Sequence, residues 1–178
     1  MRFRKLVVPA AIAAVAAVTG PVWAANPATI SVTVTIQNLS VAATGPIAFG
    51  TVVAGSQTVS GAASTVTNDG NVTETYSLSL TNPATWTAVG AAPSAAEEYA
   101  LLGLFNNAAP VGTDFGYANH ALSTVSTASS GTKFAGTQSG LSVPVTQTRN
   151  LWFRFNAPTS TAVTTQQSIT VTVTAAAG

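Results

Sequence analysis

The chain has 178 residues, with six Lys and Arg, five Asp and Glu, one His and no Cys. The missing cysteines exclude a disulfide framework and, with a single histidine, a Cys/His zinc centre. Charged residues make up 6% of the chain, against about a quarter in ordinary soluble domains, and no basic patch follows residue 5, which excludes phosphate-driven nucleic-acid binding.

The first 24 residues read as a secretory signal peptide. Arg2, Arg4 and Lys5 precede an apolar run over residues 6–18, and Val22-Trp23-Ala24 leads to a cleavage site between Ala24 and Ala25. The run is shorter than the roughly 20 residues a spanning helix needs. The expectation is a secreted, extracellular or cell-surface protein with no membrane span in its mature form. Residues 25–178 are then one domain of 154 residues, large enough for a real core. Three of the six basic residues leave with the signal, so Lys133, Arg149 and Arg154 face five acids and the mature net charge is −2. Threonine occupies 27 of the 154 positions. A surface of Thr, Ser, Asn and Gln offers little charge repulsion between copies.

Residues 29–37 (TISVTVTIQ) alternate Ile30, Val32, Val34 and Ile36 with Ser31, Thr33 and Thr35. Strict period-2 alternation of β-branched residues predicts a strand. It contains neither charge nor proline, the usual devices that keep a strand edge from recruiting another chain. Short strands are expected at 39–41, 47–49, 58–59 and 64–66. Asn68-Asp69-Gly70-Asn71 predicts a hairpin turn, since these residues tolerate positive φ. Residues 73–81 (TETYSLSLT) form an alternating strand with Tyr76, Leu78 and Leu80 on one face, and Trp86 begins a further short one.

The middle of the chain is less regular. Pro93-Ser94 followed by Glu97-Glu98 resembles a helix entrance, and because Gly103 interrupts the apolar run Tyr99–Phe105 it leads either into one short helix near residues 93–100 or through a single helical turn into a strand. Residues 106–133 are rich in Gly, Ser, Ala and Asn and read as long loops with weak strands. Alternation returns at 150–156 (NLWFRFN), with Leu151, Phe153 and Phe155 on one face, and at 168–174 (SITVTVT). About seven to nine turn-separated strands predict an all-β, antiparallel immunoglobulin-like sandwich.

Two resemblances point the same way. The run 47–80 carries Phe49-Gly50, Gly55 and Asn68-x-Gly70-Asn71, and is similar to secreted immunoglobulin-like domains of the abnormal-spindle type. The order of parts also resembles the spore-coat-U and archaic chaperone–usher pilin families. There a Thr/Val donor strand follows the signal, then a Phe-Gly segment, then a final TVTVT-like strand. Those pilins usually carry a disulfide near the first strand, and this chain has no cysteine. The resemblances imply a secreted sandwich that polymerises by strand donation.

No motif marks a reaction. His120 stands alone in a Gly/Asn loop without the nucleophile and acid of a triad. Ser130-Gly131-Thr132-Lys133 matches the S-x-x-K of serine acyl-enzymes, but S-D-N and K-T-G are missing. Glu97, Glu98 and Asp114 in the middle loops are the oxygen donors available to calcium, the one cofactor the composition leaves open. Trp86, Tyr99 and Tyr117 are candidates for a carbohydrate platform. Asn38-Leu39-Ser40 and Asn71-Val72-Thr73 are formal glycosylation sequons.

The expected function is therefore a non-enzymatic exported subunit of a surface filament, pilus or extracellular matrix. Its partners would be identical subunits, with Ile30, Val32, Val34 and Ile36 as the donor-strand interface. The alternative is a monomeric secreted binding module, for carbohydrate or of adhesin type, that uses the loops over residues 91–133.

Overall fold

A computed structural model describes residues 28–178; the expected signal peptide lies outside them. Nine strands form among the described residues: β1 (Val41–Ala43), β2 (Gln57–Val59), β3 (Ser64–Asn68), β4 (Glu74–Thr81), β5 (Thr87–Ala88), β6 (Glu98–Phe105), β7 (Thr127–Ala128), β8 (Thr148–Asn156) and β9 (Thr170–Ala177). A 3-10 turn at Gly112–Asp114 and a single α-helical turn at Tyr117–His120 are the helical pieces among the described residues. The protein is all-β, as expected.

Two sheets make the sandwich. The larger runs β1-β3-β8-β6-β5, with β2 also on β8, and the smaller runs β7-β4-β9. β2 and β3 share one edge of β8 end to end: Val59 opposes Arg154 and Ser64 opposes Leu151. All ladders are antiparallel except β5–β6. β4 and β9 pair over eight residues, from Glu74 opposite Ala177 to Thr81 opposite Thr170.

The pleat explains the core. Alternate side chains point to opposite faces of a strand, so Val66 on β3, Tyr76, Leu78 and Leu80 on β4, Tyr99, Leu101 and Phe105 on β6, and Leu151, Phe153 and Phe155 on β8 meet between the sheets. The other face of the larger sheet is not left to water. Ala100, Leu102 and Leu104 on β6 and Trp152 on β8 face outward and gather under Phe115, Tyr117 and Ala121 as a second apolar cluster. The Gly/Ser-rich middle of the chain thus supplies a cover. Phe134 and Leu122 from the same stretch reach the main core.

Burial on both faces accounts for a correction at residues 93–100. No helix forms there; Glu98–Phe105 is strand β6, buried along almost its whole length. A strand covered on both faces reads as an unbroken apolar run and loses its alternation. Gly103 lies on the inner face of β6, where an added Cβ would come within 2.9 Å of Leu122 Cδ1 and 3.6 Å of Leu78 Cδ1.

Two further expectations change. Asn68-Asp69-Gly70-Asn71 is a turn but not a hairpin, because β3 and β4 belong to different sheets. Its Asn, Asp and Gly do not adopt the positive φ that the hairpin reading required; the positive-φ glycines are Gly50 and Gly55. Gly70 is needed for space, since a Cβ there would sit 2.5 Å from Asn38 O and 2.6 Å from Glu74 Oε1. Residues 29–37, expected as a strand, carry no assigned strand or helix. Their alternation gives the segment the capacity to pair without a ladder to pair in.

Leu78 and Leu102 are fully buried in separate clusters. Leu78→Ala and Leu102→Ala should each lower unfolding free energy by about 2–5 kcal/mol. Because the sites share no cluster, the double variant should lose the sum to within about 0.5 kcal/mol, as checked by urea denaturation of all three proteins.

Candidate functional site

The apolar residues of the leading segment are the most exposed large hydrophobics described. Ile30, Val32, Val34 and Ile36 are 88%, 81%, 80% and 77% exposed, and the Ser and Thr residues between them are exposed too. Isolated exposed hydrophobics are ordinary; four in strict alternation give a segment that would present one uncovered apolar face if extended.

In the body of the protein, β9 forms the margin of the smaller sheet. Among the described residues it pairs with β4 alone, which leaves the backbone groups along its other side free of any ladder. β1 forms the margin of the larger sheet and pairs with β3 alone. These two marginal strands approach one another across the rim of the sandwich. The core is incompletely closed by its peripheral residues: Ile169, Val171, Val173 and Ala175 of the β9 stretch and Val41, Ile47, Phe49 and Val52 are all only half-buried against it. Ile169, Val171, Val173 and Ala175 alternate along the inner face of β9, which has no proline or charge to block addition of a strand. The alternation at 168–174 was legible as a strand; its position at a sheet margin was not, since the sequence carries no sign of where pairing stops.

The candidate ligand aromatics do not share one surface. Tyr99 is fully buried in the main core, and the half-buried Trp86 packs against that core, stacked on Phe155 at 5.9 Å between centroids. Tyr99 Oη donates to Asn82 Oδ1 at 2.9 Å, and burial holds its phenol above the ordinary tyrosine range. Tyr117 lies on the other side of the larger sheet, beside the second cluster. It borders a small cleft of about 140 Å³ with Ser56, Gln57, Pro93 and Asn156.

Arg154, which alternation placed opposite the core face of β8, is buried on the outer side of the sheet. Its Nη1 donates to Phe115 O at 3.0 Å and its Nε to Asn156 Oδ1 at 3.1 Å, while the guanidinium lies 5.7 Å from the Phe115 ring centroid and 5.3 Å from that of Tyr117. Carbonyl acceptors and aromatic faces together stabilise a buried guanidinium. This arrangement ties the loop over 112–117 to β8.

The acidic residues named for calcium serve separate loops. Glu97 accepts from Ala162 N and Thr161 Oγ1, both at 2.7 Å, and these bonds hold its carboxyl below the usual range. Glu98 accepts from Ser94 N and Ala95 N, with the same effect. Asp114 accepts from Val111 N at 2.8 Å. Among the described residues no group of three or more His, Cys, Asp or Glu comes together. Ser130 and Lys133 form a local turn in which Ser130 Oγ accepts from Lys133 N at 2.9 Å, while Lys133 Nζ donates to Ala118 O at 3.3 Å. The lysine amine is thus directed to a carbonyl, not to the serine hydroxyl. No family model, curated protein or solved structure matches this chain.

His120 ends the helical turn and is buried edge-on to Phe115. Its Nδ1 accepts from Gly116 N at 2.9 Å, which fixes the proton of the neutral ring on Nε2. Burial lowers its pKa, opposed by a bond to the Ala135 backbone and assisted by Lys133 and Arg154. A base whose folded pKa lies below its unfolded value of about 6.5 gives stability that is present above that value and lost as pH falls through it. Unfolding free energy should therefore drop between pH 7 and pH 5, by at most about 1.4 kcal/mol per pH unit from this group. Urea titrations at both pH values should show that component of the slope gone in His120→Gln.

Proposed function

We propose that the protein is a non-enzymatic structural subunit that polymerises by strand donation. Residues 29–36 of one copy add to the free side of β9 in the next, and the product is a surface filament, pilus or extracellular matrix. The observation that carries this reading is the coexistence in one chain of an uncovered alternating strand face and an unpaired β9 margin with a half-open core. The two fit in length: the segment offers eight residues from Thr29 to Ile36, and β9 spans eight, each about 26 Å when extended. Main-chain hydrogen bonds would supply affinity, and the four apolar side chains would supply specificity by filling the rim. Covering each of them is worth about 1.5–3 kcal/mol before the cost of ordering the segment. A donor and an acceptor on different parts of one chain form a head-to-tail contact, which propagates as an open filament unless a ring closes. The low charge and the resemblance to archaic pilins and secreted sandwiches support export and close packing of identical copies.

Val32→Asp and Val34→Asp test this reading directly. Both side chains are exposed in the single chain, so the folded body should keep its stability to within about 0.5 kcal/mol. Self-association of the concentrated protein, followed by light scattering and electron microscopy, should be lost in either variant and in a chain lacking residues 25–37. A wild-type protein that stays monomeric under these conditions, without any partner bound, overturns the proposal.

A further inference from the structure

The segment proposed to be donated has to leave the body somewhere, and the structure assigns that point to a clasp built from the Asn68–Asn71 turn and Glu74. Five hydrogen bonds hold residues 36–40. Asn71 makes three of them: its N–H donates to Asn38 O at 3.0 Å, its Oδ1 accepts from Asn38 N at 2.7 Å, and its Nδ2 donates to Ile36 O at 2.8 Å. Asp69 N donates to Ser40 O at 3.0 Å, and Glu74 Oε1 accepts from Ser40 N at 2.7 Å. The Asn71 side chain thus imitates a strand neighbour for a stretch of chain that has no assigned strand.

The clasp is itself held from behind. Asn68 is fully buried; its Nδ2 donates to Val72 O and Val143 O, and its Oδ1 accepts from Gly70 N, which fixes the turn's shape. Glu74 is fully buried at the first position of β4, opposite Ala177 of β9. Its Oε1 takes the Ser40 amide while its Oε2 is buried without a partner, so the clasp is the one hydrogen bond this buried side chain makes among the described residues. Gly70 is the one position in the turn where chain and turn come too close for a Cβ. The formal sequon at Asn71 falls on the central member, so its amide nitrogen is already engaged.

This inference rests on the strand-donation reading and adds residues to it: Asn71, Glu74 and Gly70 are positioning residues that set where the donated strand begins. Without the clasp, residues 36–40 would lengthen the free tether. Ordering that longer tether would cost more entropy when the strand is donated, and the joint between subunits would be less rigid.

The test separates the clasp from the donation it serves. Amide hydrogen exchange is measured on dilute, monomeric full-length protein, wild type, Asn71→Ala and Glu74→Gln. In the wild type the amides of Asn38 and Ser40 should exchange at least about tenfold more slowly than an unstructured chain. Asn71→Ala should release Asn38, and Glu74→Gln should weaken protection of Ser40, while amides of β4 beyond residue 76 keep their rates in both. A synthetic peptide of residues 29–37 should bind all three proteins equally, because the β9 margin is untouched. Assembly of the two variants through their own segments should be weaker than that of wild type. Asn38 and Ser40 amides that exchange freely in the wild type overturn the clasp. Unchanged assembly in variants whose amides have been released overturns its positioning role. Protected amides together with no peptide binding and no assembly leave the clasp standing and overturn strand donation instead.

Discussion

The antiparallel ladder between β6 and β8 is the interaction on which the rest of the molecule depends. It runs from Ala100 opposite Asn156 to Phe105 opposite Leu151, and its two strands present apolar side chains to both faces of one sheet. The inner set builds the main core with β4. The outer set creates a debt of exposed apolar surface that Phe115, Tyr117 and Ala121 cover. That requirement explains why a stretch of mostly small, polar residues is folded tightly and anchored by Arg154 instead of running free. It also leaves the smaller sheet, with three strands of which β7 has two residues, as the thinner side of the sandwich.

The open rim follows from that imbalance. β4 is the central strand of the smaller sheet, and β9 at its margin is covered from one side only. Half-burial of Ile169, Val171, Val173 and Ala175 is the expected result at a strand paired on one side only. A closed domain would buffer such a margin with charge, a bulge or proline; this one offers alternating Thr and Val. The uncovered segment of residues 29–37 carries the same alternation of Thr with Val and Ile, which is what the proposed strand donation draws on.

Much of this was legible wherever one face of a strand meets the core and the other meets water. The alternation in 73–81 and 168–174 gave β4 and β9 with the correct residues inward, because a half-buried strand writes its pleat into the sequence; β8 kept its alternation at 150–156 because its covered outer face carries the polar Arg154 and Asn156. β6 was only half legible for the opposite reason: with both faces covered, Tyr99 to Phe105 carries no period, and the acids before it left a helix and a strand equally open. The cover over the second cluster escaped because its contacts depend on single residues, Phe115, Leu122 and Phe134, spaced too far apart to form a pattern. Composition marks the Asn68–Asn71 turn, but its residues are not there for positive φ. They are selected for hydrogen bonding and close approach, which only the position of residues 36–40 reveals. At the candidate site, the exposed alternating face was fully written in residues 29–37, whereas the free margin of β9 is a property of sheet order and has no local signature.

Gly103 has a consequence for how the chain finds its alignment. A strand that is apolar on one face is held in register by hydrophobicity, since a slip of one residue turns its apolar set to water. β6 has no such protection: a slip would exchange Tyr99, Leu101 and Phe105 for Ala100, Leu102 and Leu104 and bury comparable surface either way. What differs between the alternatives is volume at one point. In the native alignment Gly103 faces Leu78, Leu122 and Leu151, with no room for a larger residue. A shift by one in either direction would drive a leucine into that gap. The absent side chain acts as a steric key for the pairing of the central ladder, and in doing so it decides which residues of β6 each of the two cores receives.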